Sequence, residues 1–161
     1  MSPEEAKKRY GEIILGEWTR AKEFCKMYRF PDLIAKQFKI ELAYVNKDII
    51  PGLENGLRLI TEKGLIHSLM SWNGCFSPRF QRGNNNVWSL HSWAIAFDIN
   101  AKQNPLGAES SQNIEMVKCW KESGFNWGGD FKRKDPMHFE WNGLPFVIRN
   151  SNLKQSTFYN E

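Results

Sequence analysis

The sequence has few cysteines, few histidines and no long apolar run. Its three cysteines, Cys25, Cys75 and Cys119, are widely spaced and form no CxxC pair, which excludes a disulfide framework and a structural zinc ribbon. The first residues are charged and no uninterrupted apolar segment follows them, so we expect neither a signal peptide nor a membrane span. No internal repeat and no low-complexity segment is present.

The composition is that of an ordinary globular protein. The 161 residues suffice for one domain with one core, and 41% of them are hydrophobic. Aromatic residues reach 14%, and we expect most of these rings to fill the core. No linker divides the chain. We therefore predict a single α+β domain over residues 1–161, with a helical region at 1–45 that packs on the rest or flanks it.

The chain is mildly basic, with a formal net charge of +4. Such a balance favours polyanionic partners, among them nucleic acid, anionic lipid and acidic wall polymers. No nucleic-acid-binding motif is present, so we expect no nucleic-acid partner. The densest basic run, Lys132-Arg133-Lys134, is either a solvated loop or an attractant for an anionic substrate.

The spacing of apolar residues predicts the main elements. Helices are predicted over about 3–28, 34–44, 53–60 and 114–120, the last capped by Ser110 or Ser111. Strands are predicted over about 65–72, 93–99 and 138–148. Between the first two strands lies a long loop rich in Gly and Asn, and long loops in compact domains are often functional.

Two short clusters concentrate metal-binding side chains. His91 and Asp98 bracket one predicted strand, and His138 opens another. If these strands are neighbours in one sheet, the three side chains converge from rigid elements. Two imidazoles and one carboxylate, with a fourth position left for water, make the donor set of a catalytic zinc site.

Other polar residues offer the remaining chemistry. Asp135 and Glu140 each lie close in sequence to His138, and either can act as the base beside a metal-bound water. Glu140 shares a strand face with His138, so it can instead orient that ligand or bind substrate. Arg79 and Arg82 can polarise a carbonyl or pair with a substrate carboxylate. The spacing is neither that of a zinc finger nor HExxH, so ordinary structural roles stay open as the alternative.

The cluster Ser89-x-His91-x-x-x-x-Ala96-x-Asp98 resembles the SxHxxGxAxD signature of the zinc D-alanyl-D-alanine carboxypeptidases and dipeptidases, peptidase family M15. The stretch from Gly124 through Asp135-x-Met137-His138-Phe139-Glu140 is similar to the second signature, most of all in the branch of L-alanyl-D-glutamate endopeptidases that includes many phage endolysins. The resemblance covers about residues 74–141.

The resemblance implies zinc bound by His91, Asp98 and His138, with Asp135 as general base and acid. It implies that Arg79, or else Arg82, binds substrate or stabilises the oxyanion, and that Ser89 supports the ligands or the substrate. The implied fold is a compact α+β domain with a central antiparallel sheet, shared with hedgehog-type domains.

The expected activity is hydrolysis of peptidoglycan stem peptides at the L-Ala–D-Glu bond. A D-alanyl-D-alanine carboxypeptidase or dipeptidase is the alternative, and a non-catalytic zinc-binding module is the alternative of another class. We expect a monomer that is synthesised in the cytoplasm and acts on the bacterial cell wall after release.

The sequence departs from the family pattern at two positions. Ala94 stands where the signature has Gly, which a strand tolerates but a turn with positive φ does not easily accept. Asp135 stands where many relatives have Glu, whereas the endopeptidase branch also uses Asp.

Overall fold

The computed structural model describes residues 1–16 and 20–147. Its α-helices are α1 (Pro3–Tyr10), α2 (Ala21–Phe24), α3 (Asp32–Phe38), α4 (Ile50–Glu62) and α5 (Ile114–Glu122). Its strands are β1 (Cys25–Arg29), β2 (Leu42–Asn46), β3 (Trp72–Gly74), β4 (Phe80–Gln81), β5 (Asn84–Trp88), β6 (Ala96–Ile99), β7 (Phe125–Trp127) and β8 (His138–Trp141). The predicted α+β class with antiparallel sheets is confirmed. Within the described ranges, no helix is both long and apolar enough to cross a bilayer.

The central sheet has four antiparallel strands in the order β3-β6-β8-β7. In the pairing of β6 with β8, Asp98 lies opposite His138 and Phe97 lies opposite Phe139. Successive side chains of a strand point to opposite faces. The sheet therefore has one face with polar side chains and one face with aromatic rings.

The aromatic face forms the centre of the core. The rings of Phe97 and Phe139 stack with centroids 5.5 Å apart, and Trp72 stacks on Phe97 at 5.2 Å. Trp120 of α5 meets Phe97 edge to face at 5.0 Å. Each such pair contributes about 0.5–1.5 kcal/mol beyond its buried area. These contacts hold β6 and β8 in register.

The N-terminal part of the chain packs on the central sheet and its turns. Gly11 O, directly after α1, accepts a hydrogen bond of 2.9 Å from Trp93 Nε1. The guanidinium of Arg9 lies 5.1 Å from the ring centroid of Trp141 in β8, a favourable cation–π distance. The two-stranded sheet β1-β2 adds Asn46, whose Nδ2 donates to Trp93 O at 3.0 Å.

The two predicted N-terminal helices are wrong over part of their length. The first ends at Tyr10 because Gly11 adopts a φ of 91°, and Cys25–Arg29 pairs with β2 as a strand instead. Trp18, part of the apolar stripe behind that prediction, lies outside the described residues. The second helix ends at Phe38, where Lys39 takes a left-handed conformation with a φ of 57°. Tertiary pairing overrides helical spacing in both segments.

The predicted strand over 65–72 is also wrong, because this segment contains a 3-10 turn and joins the sheet only from Trp72. The backbone N–H groups of Met70 and Ser71 donate to Asn100 Oδ1 at 2.8 and 3.1 Å. The side chain of Asn100 thus accepts the hydrogen bonds that a neighbouring strand would otherwise accept. The predicted strand over 138–148 ends at Trp141, and residue 148 lies outside the described ranges. Helix α5 is capped by Asn113 rather than by Ser110 or Ser111.

Helices α4 and α5 cross at Gly56, where an added Cβ would overlap the ring of Trp120. We expect Gly56→Ala to lower the free energy of unfolding by about 1–3 kcal/mol, because overpacking outweighs the better helix propensity of Ala. Urea unfolding measures this loss.

A double-mutant cycle supplies the control for this prediction. In a Trp120→Phe background the smaller ring leaves room for the methyl group, so Gly56→Ala should cost less there. An equal cost in both backgrounds would contradict the assigned contact.

Candidate metal centre

His91 lies on a short turn rather than in a strand. The 3-10 turn Leu90–Trp93 is capped by Ser89, whose Oγ accepts from the backbone N–H of His91 at 3.4 Å. Ala94 ends the turn, and β6 begins two residues later. His91 is 2% exposed, so the turn directs its ring into the protein interior beside the sheet.

Ala94 adopts the left-handed conformation, with a φ of 53°. The expectation that this residue lies in a strand is wrong. Ala94 instead lies in a turn with positive φ, the conformation that a residue other than Gly does not easily accept. For residues that have a Cβ atom, this conformation costs roughly 1–2 kcal/mol. The turn is held in place by Asn46 N and Cys75 Sγ, which donate to Ala94 O at 3.1 and 3.2 Å.

Three donor atoms converge at the polar face of the sheet. His91 Nε2 lies 3.2 Å from His138 Nδ1 and 3.2 Å from Asp98 Oδ1, and His138 Nδ1 lies 3.1 Å from Asp98 Oδ1. The strands supply the last two from directly opposed positions. The predicted convergence of the three side chains is therefore what the geometry shows. His67, the third histidine, is exposed and outside this group.

In each of the two histidines, one ring nitrogen belongs to this group of three atoms and is called the inner nitrogen. The other, outer nitrogen has a hydrogen-bond acceptor of its own. His91 Nδ1 lies 2.8 Å from Cys75 O, and His138 Nε2 lies 3.1 Å from Glu140 Oε2. A neutral imidazole has one N–H, and these acceptors place it on the outer nitrogen. The inner nitrogens then present lone pairs to each other and to Asp98. Only a proton or a cation between them removes this repulsion.

The three metal-ligand atoms, His91 Nε2, His138 Nδ1 and Asp98 Oδ1, form a donor triangle that fits a zinc ion. Zinc holds nitrogen and oxygen ligands at about 2.0–2.1 Å in tetrahedral geometry, which separates neighbouring ligand atoms by about 3.3 Å. The observed edges of 3.1–3.2 Å agree with that value. His91, Asp98 and His138 are all buried, and acceptors behind metal-ligating imidazoles are the usual means of orienting them. The residues present therefore suit the ion.

Electrostatics within the triangle favours a charged carboxylate. Burial works to raise the pKa of the Asp98 carboxyl, but hydrogen bonds from His138 and His91 outweigh it and hold that pKa well below its usual range. Burial lowers the pKa of His138, yet its hydrogen bonds to Asp98 and Glu140 raise that pKa to about 9. The site therefore attracts positive charge, whether a proton or a metal ion.

Asp135 lies beside the triangle on a fixed turn. Its backbone N–H donates to Gly128 O at 3.0 Å, and an added Cβ on Gly128 would overlap Asp135 O. The next carbonyl, Pro136 O, accepts from Trp127 Nε1 at 2.9 Å and from Gln112 Nε2 at 3.2 Å. The close approach of Asp135 O explains the glycine at position 128, because any Cβ there would overlap this oxygen.

The side chain of Asp135 is unlike that of Glu140. Asp135 Oδ1 is buried and accepts no hydrogen bond from any residue that the structure describes. Burial raises the pKa of Asp135 above its usual value. Glu140, in contrast, is bonded to His138. A buried carboxylate oxygen without a donor is rare in folded proteins and points to a missing polar partner.

Residues 82–141 match the family model described as D-alanyl-D-alanine carboxypeptidase, in peptidase family M15. The matched segment contains His91, Asp98, Asp135 and His138. The match supports a relationship of this segment to the M15 peptidase family. Peptidases of this family are generally zinc-dependent, and the match supports a peptidase that acts on peptidoglycan-type substrates. No curated protein and no solved structure matches the chain significantly.

A pocket of about 460 Å³ opens over the donor triangle of this M15 segment. Arg79, Arg82, Ser89 and Glu140 line it, so the structure brings all the predicted site residues together. The sequence-based prediction missed several further lining residues: Met1, Ser2, Pro3, Gln81, Leu106, Phe131 and Met137. Phe131 and Met137 lie within the second motif, whereas the others carry no motif and only tertiary packing places them at the pocket. Arg133 also lines the pocket, and the basic run around it was the one signal for it.

The left-handed turn at Ala94 makes the M15 site sensitive to side-chain shape there. We expect Ala94→Gly to change the free energy of unfolding by less than about 1 kcal/mol, because relief of the left-handed strain offsets the lost methyl burial. Ala94→Val should be destabilised by about 2 kcal/mol or more, since β-branched residues hardly adopt this conformation. Urea unfolding of the pair measures both, and equal stability of the two variants would rule out the left-handed turn.

Proposed function

We propose that the chain is a zinc-dependent peptidase that hydrolyses stem peptides of the bacterial cell wall between L-Ala and D-Glu. The observation that carries this proposal is the triangle of buried donor atoms in the lining of a pocket that also holds Asp135, whose buried Oδ1 has no hydrogen-bond partner among the described residues. Three protein ligands with a further position open to the pocket are typical of catalytic rather than structural zinc sites.

His91, Asp98 and His138 would hold the zinc ion. When bound, zinc lowers the pKa of a water molecule to about 7 and polarises a carbonyl oxygen. Cys75 O and Glu140 keep the two imidazoles in the tautomers that leave the inner nitrogens free. Glu140 is thus proposed to orient a ligand, although it also lines the pocket and can contact substrate.

Asp135 is proposed as the general base and acid. Its carboxylate accepts a proton from the water that attacks the peptide carbonyl, and then donates this proton to the departing amine. The raised pKa of Asp135 suits a group that must carry the proton between these steps. Hydrogen bonds at both of its neighbouring peptide groups fix its position, which proton transfer requires.

Two arginines that line the pocket, Arg79 and Arg82, are proposed to bind the substrate. Arg79 follows the loop that leads to β4, and its backbone groups bond to Ser92 Oγ at 3.1 Å in both directions. This anchoring supports Arg79 as the residue that stabilises the developing oxyanion or holds a substrate carboxylate. Arg82, at the tip of the β4-β5 hairpin, is proposed as a second substrate contact, and Ser89 supports His91.

The choice of bond rests on the resemblance of the second motif to the endopeptidase branch and on Asp at the position of the base. A D-alanyl-D-alanine carboxypeptidase is the second candidate, because the matching family model carries that description. Both reactions cleave an amide whose amine side bears a free α-carboxylate. The pocket chemistry is therefore compatible with either substrate, and the products decide between them.

The deciding experiment digests purified peptidoglycan and synthetic stem peptides with the protein, with and without a chelator. We expect a new N-terminal D-Glu in the absence of chelator and no product in its presence. Released D-Ala would replace the first candidate with the second. No product from any stem peptide, together with stoichiometric bound zinc, would identify a non-catalytic module.

Substitutions separate metal binding from turnover. We expect His138→Ala to lose both bound zinc and activity, because it removes one corner of the donor triangle. Asp135→Asn should keep zinc and lower kcat by about 100-fold or more, since general base catalysis contributes about 10²–10⁴-fold. Metal analysis and kinetics measure the two effects.

Glu140→Gln is the control for the assignment of the base. It keeps a hydrogen-bond acceptor for His138 and should retain more activity than Asp135→Asn. An active Asp135→Asn beside an inactive Glu140→Gln would reverse the two roles.

A further inference from the structure

Arg133 reaches the pocket from the loop that carries Asp135, and no role described so far uses it. Its Nη1 donates to Arg82 O at 2.8 Å, which joins this loop to the tip of the β4-β5 hairpin. Gly83 has a positive φ of 86°, and a Cβ there would lie 3.2 Å from Arg133 Nη1. The hairpin tip thus leaves space for the guanidinium beside the pocket.

The arginines of the pocket differ from three other arginines of the protein. Arg9, Arg29 and Arg58 each form an ion pair, with Asp48 at 2.8 Å, Glu41 at 3.1 Å and Glu62 at 2.6 Å. In the described ranges of the chain, Arg79, Arg82 and Arg133 have no carboxylate within ion-pair distance. Three cations that line one pocket without such partners form a surface complementary to an anion.

The charges of the whole pocket also favour an anionic ligand. Among the side chains that line the pocket, the three arginines are matched in number by the carboxylates of Asp98, Asp135 and Glu140. A divalent cation bound by the donor triangle leaves the pocket with net positive charge. A substrate that brings a carboxylate restores the balance.

Arg133 forms one hydrogen bond with Arg82 O, which leaves most N–H groups of its guanidinium available. A guanidinium has five N–H donors in a rigid plane, and one pair of them matches a carboxylate in a bidentate contact. The bond to a backbone carbonyl restricts the side chain before substrate binds, so less conformational entropy is lost on binding.

The position in the chain indicates which carboxylate Arg133 meets. Asp135, two residues away in the same loop, is the proposed proton donor to the departing amine. In both candidate substrates a free α-carboxylate is attached to the carbon that bears this amine. Arg133 enters the pocket from the same loop and is held at the hairpin tip by Arg82 O, so we infer that it approaches the side of the pocket where this carboxylate must lie.

We propose that Arg133 is a specificity-determining residue that binds the free α-carboxylate of the residue on the amine side of the scissile bond. This inference rests on the proposed peptidase function and names the substrate feature that the pocket selects. Peptides with a carboxylate at this position are preferred over otherwise identical peptides with a carboxamide.

The test compares Arg133→Gln with Lys132→Gln. Both variants lose one positive charge from the same exposed loop, but only residue 133 lines the pocket. Each protein, loaded with zinc, is assayed on two synthetic stem peptides that differ only in a carboxylate or carboxamide beside the scissile amide. We expect Arg133→Gln to lower kcat/KM on the carboxylate peptide by roughly 10–100-fold, the usual range for a hydrogen bond to a charged group. On the carboxamide peptide it should change little, and Lys132→Gln should preserve the preference.

Two kinetic outcomes would overturn the proposal. Equal losses for both variants on the carboxylate peptide would show general electrostatic attraction, and equal losses on both peptides for Arg133→Gln would show a structural role. Calorimetric binding of the same peptides in the presence of a chelator gives a readout that needs no turnover. If the wild-type protein cleaves neither peptide, the proposed function fails, while an Arg133-dependent preference in binding would still support the carboxylate site. Absence of that preference in binding would refute it.

Discussion

The register between β6 and β8 is the constraint on which the rest of the structure depends. It sets Asp98 opposite His138 on one face and Phe97 opposite Phe139 on the other. A slip of one residue would exchange the faces of the slipped strand, burying a ligand in the core and exposing a ring. The aromatic packing that stabilises the core therefore also fixes the geometry of the donor triangle. Stability and chemistry are coupled here through four residues.

The donor triangle is itself a source of instability that its surroundings must offset. Burial of a carboxylate and two imidazoles costs free energy unless their polar atoms are satisfied. Cys75 O and Glu140 satisfy the outer nitrogens, whereas the inner atoms depend on a proton that His138 Nδ1 donates to Asp98 Oδ1 at 3.1 Å, or on a cation in its place. A cation that binds there contributes to folding as well as to catalysis, since such a site is not preformed in the unfolded chain.

The sequence predicted the candidate site residues, but it did not predict the β1-β2 sheet and the turn that help to position them. The positions of His91, Asp98 and His138 at the predicted strands indicated that they converge if the two strands are neighbours, and β6 and β8 are neighbours. The β1-β2 sheet was missed because its strands have apolar residues at helical spacing and gain their hydrogen bonds only from each other. The sequence left the positive φ of Ala94 open as one case, because contacts from Asn46 and Cys75, which lie far away in sequence, hold that turn.

Asp98 and His138 lie in strands of the sheet, whereas Asp135, the proposed base, lies in a turn outside them. A base must be positioned as precisely as the ligands, whereas loops are usually the variable parts of a fold. Bonds from Trp127 and Gln112 to Pro136 O, and from Asp135 N to Gly128 O, tie this turn to β7 and to the segment before α5. The turn thus behaves as an extension of the rigid sheet. Two of the three proposed substrate-binding arginines, Arg82 and Arg133, lie at exposed loop positions, which can change without disturbing the ligands.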